Sequence, residues 1–244
     1  IGTTGNDQIY GIQHDRNGFV YVMGTSTGDF PVRNATFRQT GGKQFIAKLQ
    51  KNLSAYVYST VFGTNSRFPN LSPTAFLVDI CENVYVSGWG GNIIAGTDYP
   101  IVPTTGMSVT PDAIKANTDG LDFYFFVMEK DATRQLYGSF FGQQDPQNVG
   151  SHDHVDGGTS RFDENGVIYQ GICANCAGGQ FPTTPGTLSP TNPSRRCNLA
   201  VVKIDFDLSG VRTGVQSFIE GFRRDSSTCV PALIEFRDSI AVGR

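Results

Sequence analysis

Charge is scarce in this sequence: 17% of its 244 residues are Asp, Glu, Lys or Arg, the net charge is −3, and there are three His and one Trp. Arg195-Arg196 and Arg223-Arg224 are isolated pairs rather than a basic stripe, so nucleic acid is not an expected partner. No apolar run approaches the ~18 residues that a spanning helix needs, and no heptad or amphipathic helical pattern occurs. Ile1 opens into Gly-Thr-Thr-Gly without a charged-then-apolar leader, so the expectation is mature protein or an internal piece of a longer one. What is abundant is Gly (29) and Pro (12), the composition of a turn-dense, β-rich extracellular chain.

Turns and strands recur. Asp15-Arg-Asn-Gly-Phe-Val-Tyr-Val-Met-Gly24, Asp79-Ile-Cys-Glu-Asn-Val-Tyr-Val-Ser-Gly88 and Phe162-Asp-Glu-Asn-Gly-Val-Ile-Tyr-Gln-Gly171 each place a polar turn before an apolar run that ends in Gly. The flanks repeat as well. Each copy is followed by an aromatic and a proline (Phe30-Pro31, Tyr99-Pro100, Phe181-Pro182), then by a strand-like run with Lys48, Met128 or Lys203 at its fourth place. A fourth run, Tyr56 to Gly63 and Gln135 to Gly142, closes the first two units, and four strands per unit is the make-up of a propeller blade. Tyr21, Tyr85 and Tyr169 recur at spacings of 64 and 84, beyond the roughly 40–50 of common propeller repeats. The excess falls after Gly88 and Gly171, where Gly, Pro, Thr and Asn crowd together. Long connections of that kind are where binding usually resides, so Trp89, Tyr99 and Phe181 are the expected ligand-contact residues, on one face of adjacent blades.

The expected fold is therefore all-β: a partial β-propeller of about three four-stranded blades (8–63, 75–142 and 155–213) within residues 1–213, and the first strands of an immunoglobulin-like domain over 214–244. Three blades cannot close a ring of about four to eight, so a fragment of a longer protein is expected.

Candidate chemistry is sparse. Gly24-Thr-Ser-Thr-Gly28 matches a nucleophile elbow, which requires a following helix that this sequence does not offer. Asp205-Phe-Asp-Leu-Ser-Gly210 begins like a calcium loop, but Gln216 stands where Glu is needed, and it reads as a hairpin turn. His152, His154 and Asp156 are the densest ligand-like group; one strand supplies two ligands where a metal needs three or four, so hydrogen-bonding histidines are expected and neither a metal nor a cofactor is assigned. Cys173 and Cys176 have half-zinc-site spacing without a second pair. A disulfide from Cys197 to Cys173 or Cys176 is the favoured reading; it would close a loop of about 20 residues, worth on the order of 3 kcal/mol. Cys81 and Cys229 have no evident mates.

Residues 1–213 resemble the β-propeller repeats of large secreted surface proteins of Bacteroidota that carry PKD-type and gliding-motility-associated C-terminal sorting domains. The resemblance rests on Phe45 to Ser54, Tyr58 to Gly63, Val84 to Gly91 and Phe181 to Gly186. Residues 215–244 look like the opening of a PKD-type domain. The resemblance implies type nine secretion, a cell-surface location and a non-enzymatic role in adhesion, display or gliding through protein or glycan contacts, with neighbouring blades and domains of the same chain as first partners. A propeller lyase or hydrolase, and a passive spacer, are the alternatives.

Overall fold

The computed structural model describes residues 1–93, 100–143, 153–156, 160–174, 181–192, 196–206, 215–219, 222–223 and 233–238. Two compact units result, Ile1–Ile204 and Asp205–Arg244. The first holds two four-stranded antiparallel sheets: β1 (Asp7–His14), β2 (Val20–Ser26), β3 (Gln44–Leu49), β4 (Tyr56–Phe62), and β5 (Ser72–Val78), β6 (Val84–Trp89), β7 (Phe123–Met128), β8 (Gln135–Phe141). A third sheet has three strands, β9 (Ser160–Phe162), β10 (Ile168–Ala174) and β11 (Asn198–Ile204), in the order β11-β10-β9. The second unit contains β12 (Val215–Ile219), β13 (Phe222–Arg223) and β14 (Ile234–Asp238), with β12 central. Strands dominate, and a 3-10 turn at Lys130–Ala132 is the helical element among the described residues. Strands β1, β5 and β9, the first of each sheet, neighbour one another in turn, as the inner strands of successive blades do.

The repeated turn has one geometry in all three copies. The carboxylate of Asp15 accepts from the N–H groups of Asn17 and Phe19 (2.9 and 3.0 Å), that of Asp79 from Cys81 and Asn83 (both 2.8 Å), and that of Asp163 from Asn165 and Val167 (2.9 and 3.0 Å). A short Asp side chain can fold back in this way and replace the backbone partners that a tight turn leaves unmet. The residue three after each Asp sits at positive φ: Gly18 (84°), Glu82 (67°) and Gly166 (82°).

Past the turn the copies diverge by one residue from the sequence alignment. Val127, not Met128, stands opposite Tyr85, just as Lys48 stands opposite Tyr21 and Lys203 opposite Tyr169. The terminal glycines shift too: Gly24 pairs with Phe45 and Gly88 with Tyr124, but the third unit has Ile172 opposite Ala200. A Cβ on Gly24 would lie 2.0 Å from the Gln8 carbonyl oxygen and 2.6 Å from the Phe45 ring. The bulk within each cross-strand pair is thus carried by one partner or by the other.

Blades one and two meet through Tyr21, Met23, Ile46, Tyr58 and Phe62 on one side and Val84, Val86, Phe126 and Met128 on the other, with the Phe62 and Phe126 rings stacked at 4.3 Å. The far face of blade one is covered by its own chain, Phe30 stacking on Phe45 at 3.9 Å. Blades two and three join through Gln170, whose amide donates to Ser87 (2.8 Å) and Ser160 (3.1 Å), and through Tyr85 against Phe162.

The connections of blades one and two do not stand away from the sheets, whereas the described stretch 182–191 after β10 is exposed. After β2 the chain pairs Arg33 with Ser59 and donates from the Gln39 N–H to the Val61 carbonyl (2.9 Å), lying along the outer edge of β4. After β6 it does the same on β8: the Thr110 N–H reaches the Gly138 carbonyl (2.9 Å) and Lys115 bridges to Phe140. Lys115 also ties back through its ammonium to Asp122 at 2.6 Å, and Met107 enters the inter-blade core. Edge strands with open backbone groups invite aberrant pairing, and these straps satisfy them. Phe126→Ala is expected to cost about 3–5 kcal/mol in chemical denaturation, whereas Ile12→Ala, at a side chain 70% exposed, should stay within about 0.5 kcal/mol.

Candidate functional site

Two groups of polar side chains stand out. The first lies between blades one and two. Lys48 passes over the rings of Phe19 and Tyr21 (4.9 and 5.0 Å), and its ammonium meets Asp15 at 3.2 Å and Glu82 at 2.6 Å. Glu82 comes from the turn of blade two and is also reached by Lys130 (2.8 Å) and by the Tyr21 hydroxyl (3.1 Å). Burial opposes ionisation of Glu82, but hydrogen bonds from Lys130 and Lys48 outweigh it and hold the carboxyl down at about 2. Burial likewise disfavours the charged Lys48, and its bonds to Glu82 and Asp15 reverse that, raising it above the usual lysine range. Two cations face two anions and each is committed to a partner, so the chemistry here is a clamp between blades.

The second group lies at the start of the third sheet. His154 and Cys173 are directly opposed and exchange two backbone hydrogen bonds (3.1 and 2.9 Å). Asp156 follows two residues on, its carboxylate 3.4 Å from the His154 Nε2. One donor atom from each of His154, Asp156 and Cys173 falls within 4.8 Å of the others. Burial, then the carboxylates of Asp156 and Asp153, push the Cys173 thiol up. The Trp89 ring from blade two stands 5.8 Å from the imidazole of His154. Cys173 is 17 residues beyond Asp156, so no local motif joins it to that group; only the pairing of its strand does.

Of the expected contact residues, Trp89 is half-buried at the end of β6, and Phe181 is 8% exposed with its ring edge-on to Phe141 at 5.4 Å, which makes it a packing residue. Tyr99 and His152 lie outside the described residues, as does most of the calcium-like stretch, 207–210. Ser26 of the elbow-like sequence is fully buried at the end of β2, bonded to Thr3 and to the Gly28 N–H. Cys197 is disulfide-bonded and Cys173 is a free thiol. Cys173 is therefore not the mate of Cys197, whose partner, like Cys176, falls outside the described residues. A small groove, open to solvent, lies between Tyr10 and Thr25 of blade one and Leu71 and Ile101, and at about 10 Å³ it is far below the ~300–1,000 Å³ of usual ligand pockets.

Residues 1–31, which contain the β1–β2 hairpin and the strap residues Phe30 and Pro31, match the family model SBBP, a beta-propeller repeat. That match and the all-β architecture support a propeller repeat region. No curated protein matches the chain.

The pH dependence of the clamp has a definite sign. With the folded carboxyl of Glu82 at about 2 against an ordinary 4.5, its stabilisation is fully present above pH 4.5 and is lost as pH falls towards 2. Glu82→Gln should lower stability by about 1–3 kcal/mol at pH 7. Melting curves from pH 7 to pH 2 should show the difference from wild type shrinking across that window; a constant difference would remove Glu82 as the titrating group.

Proposed function

We propose that this chain is a non-enzymatic propeller module of a large secreted cell-surface protein, acting in adhesion, surface display or gliding motility through protein or glycan contacts. The observation that carries the reading is the outward face of the third sheet. Tyr169, Val201 and Lys203 occupy the places of Tyr21, Ile46 and Lys48, residues that blade one buries against blade two. Yet Val201 is 79% and Tyr169 43% exposed, with Leu199 beside them at 75%. Lys203 already lies over the Tyr169 ring at 5.6 Å, as Lys48 lies over Tyr21, but has no ion-pair partner among the described residues. An apolar face with one waiting cation suits a further blade of the same polypeptide, whose turn would bring an acid to Lys203 as Glu82 comes to Lys48. The disulfide at Cys197 fits an oxidising, extracellular compartment. Trp89 and Tyr99, where the second-unit connection begins, are the residues we assign to outside contacts.

A photo-crosslinking residue in place of Val201 in the native surface protein should attach to a peptide of the same polypeptide that bears an Asp-led turn. Attachment only to a different protein would overturn the stacking. Pull-downs from the native surface with wild type and Trp89→Ala should differ in the partner recovered; equal recovery would move the contact surface elsewhere or leave a passive spacer.

A further inference from the structure

We propose that His154, Asp156 and Cys173 form a zinc site with three protein ligands. Directly opposed residues of an antiparallel pair send their side chains to the same side, which sets the imidazole of His154 beside the thiol of Cys173. Asp156, two residues further, brings its carboxylate to the same place, 3.4 Å from the imidazole. The outcome is one nitrogen, one oxygen and one sulfur donor within 4.8 Å of each other.

The His154–Asp156 edge of the triangle suits a metal better than a direct bond, while the full set, spread within 4.8 Å, closes to about 3.3–3.6 Å on binding by a side-chain rotation. A charge-assisted N–H···O contact closes to about 2.7–2.9 Å, but His154 Nε2 and the Asp156 carboxylate are 3.4 Å apart. Two ligands each about 2.05 Å from a tetrahedral zinc stand about 3.3 Å apart. The donor set also selects the metal class: a thiol and an imidazole are poor ligands for calcium or magnesium and good ones for zinc. Coordination would convert the Cys173 thiol to thiolate, its proton passing to solvent, and thiolate with carboxylate would balance the dication. The Asp156 side chain is 79% exposed, so water has access to the fourth position, while Trp89 borders the imidazole. A zinc ion here would fasten the stretch 153–156 to β10 and to the junction with blade two.

The test uses the full chain with its disulfide intact, in a Cys81→Ser background because Cys81 is an exposed free thiol. Calorimetric titration with zinc should give one equivalent, and cobalt should produce a thiolate-to-metal charge-transfer band. Cys173→Ser should abolish that band. His154→Gln and Asp156→Asn should each weaken binding by at least about tenfold, with His14→Gln unchanged. Asp156 is exposed, so Asp156→Asn is expected to leave the metal-free melting temperature in place, which separates ligand loss from misfolding. No stoichiometric uptake, or equal affinity in Cys173→Ser or Asp156→Asn, would overturn the site.

Discussion

Strands β3 and β7 are buried along their whole length on both faces, and this constraint governs the first unit. A sheet that is apolar on both sides cannot stand in water; it must lie between two covers. Blade two finds them in blades one and three. Blade one finds one in blade two and makes the other from its own connection, Phe30 folding over Phe45. Within the first unit the third sheet has one neighbour among the described residues, and Val201 and Leu199 register the difference as exposure. Against this apolar background an ammonium as enclosed as Lys48 is tolerable only because two carboxylates reach it.

The repeat was legible because turn chemistry is local. An Asp that caps its own turn and a residue at positive φ leave a signature in five consecutive positions, and all three copies fold as that signature indicates. The register beyond the turn was less legible. Gly171 looks like the counterpart of Gly24, but Gly24 and Gly88 are needed because the first strand of the sheet passes close by, at the Gln8 and Ser72 carbonyl oxygens, and that approach is set by strand pairing rather than by the neighbouring sequence. The connection after β6 reads as an open loop because Gly, Pro and Thr favour turns. Its backbone, however, bonds to β8 through Thr110 and Lys115, and main-chain bonds of that sort carry no side-chain code. The sequence favours a disulfide from Cys197 to Cys173 or Cys176; Cys173 is instead a free thiol that strand pairing sets across from His154.

Glu82 occupies a backbone region where its neighbours in the repeat use glycine, at a cost of roughly 1–2 kcal/mol. Glycine there would relax the turn but bring nothing to Lys48. Blade two thus accepts local strain to deliver a carboxylate across the junction, and the two blades become dependent on each other through Glu82.

The exchange of bulk between Gly24–Phe45, Gly88–Tyr124 and Ile172–Ala200 has a consequence for how such repeats diverge. A step from the first type of pair to the last, taken one substitution at a time, passes through either a collision or a hole. Drift between units is therefore confined to concerted changes on two strands, and a blade duplicated within one chain inherits its pairing solution as a block.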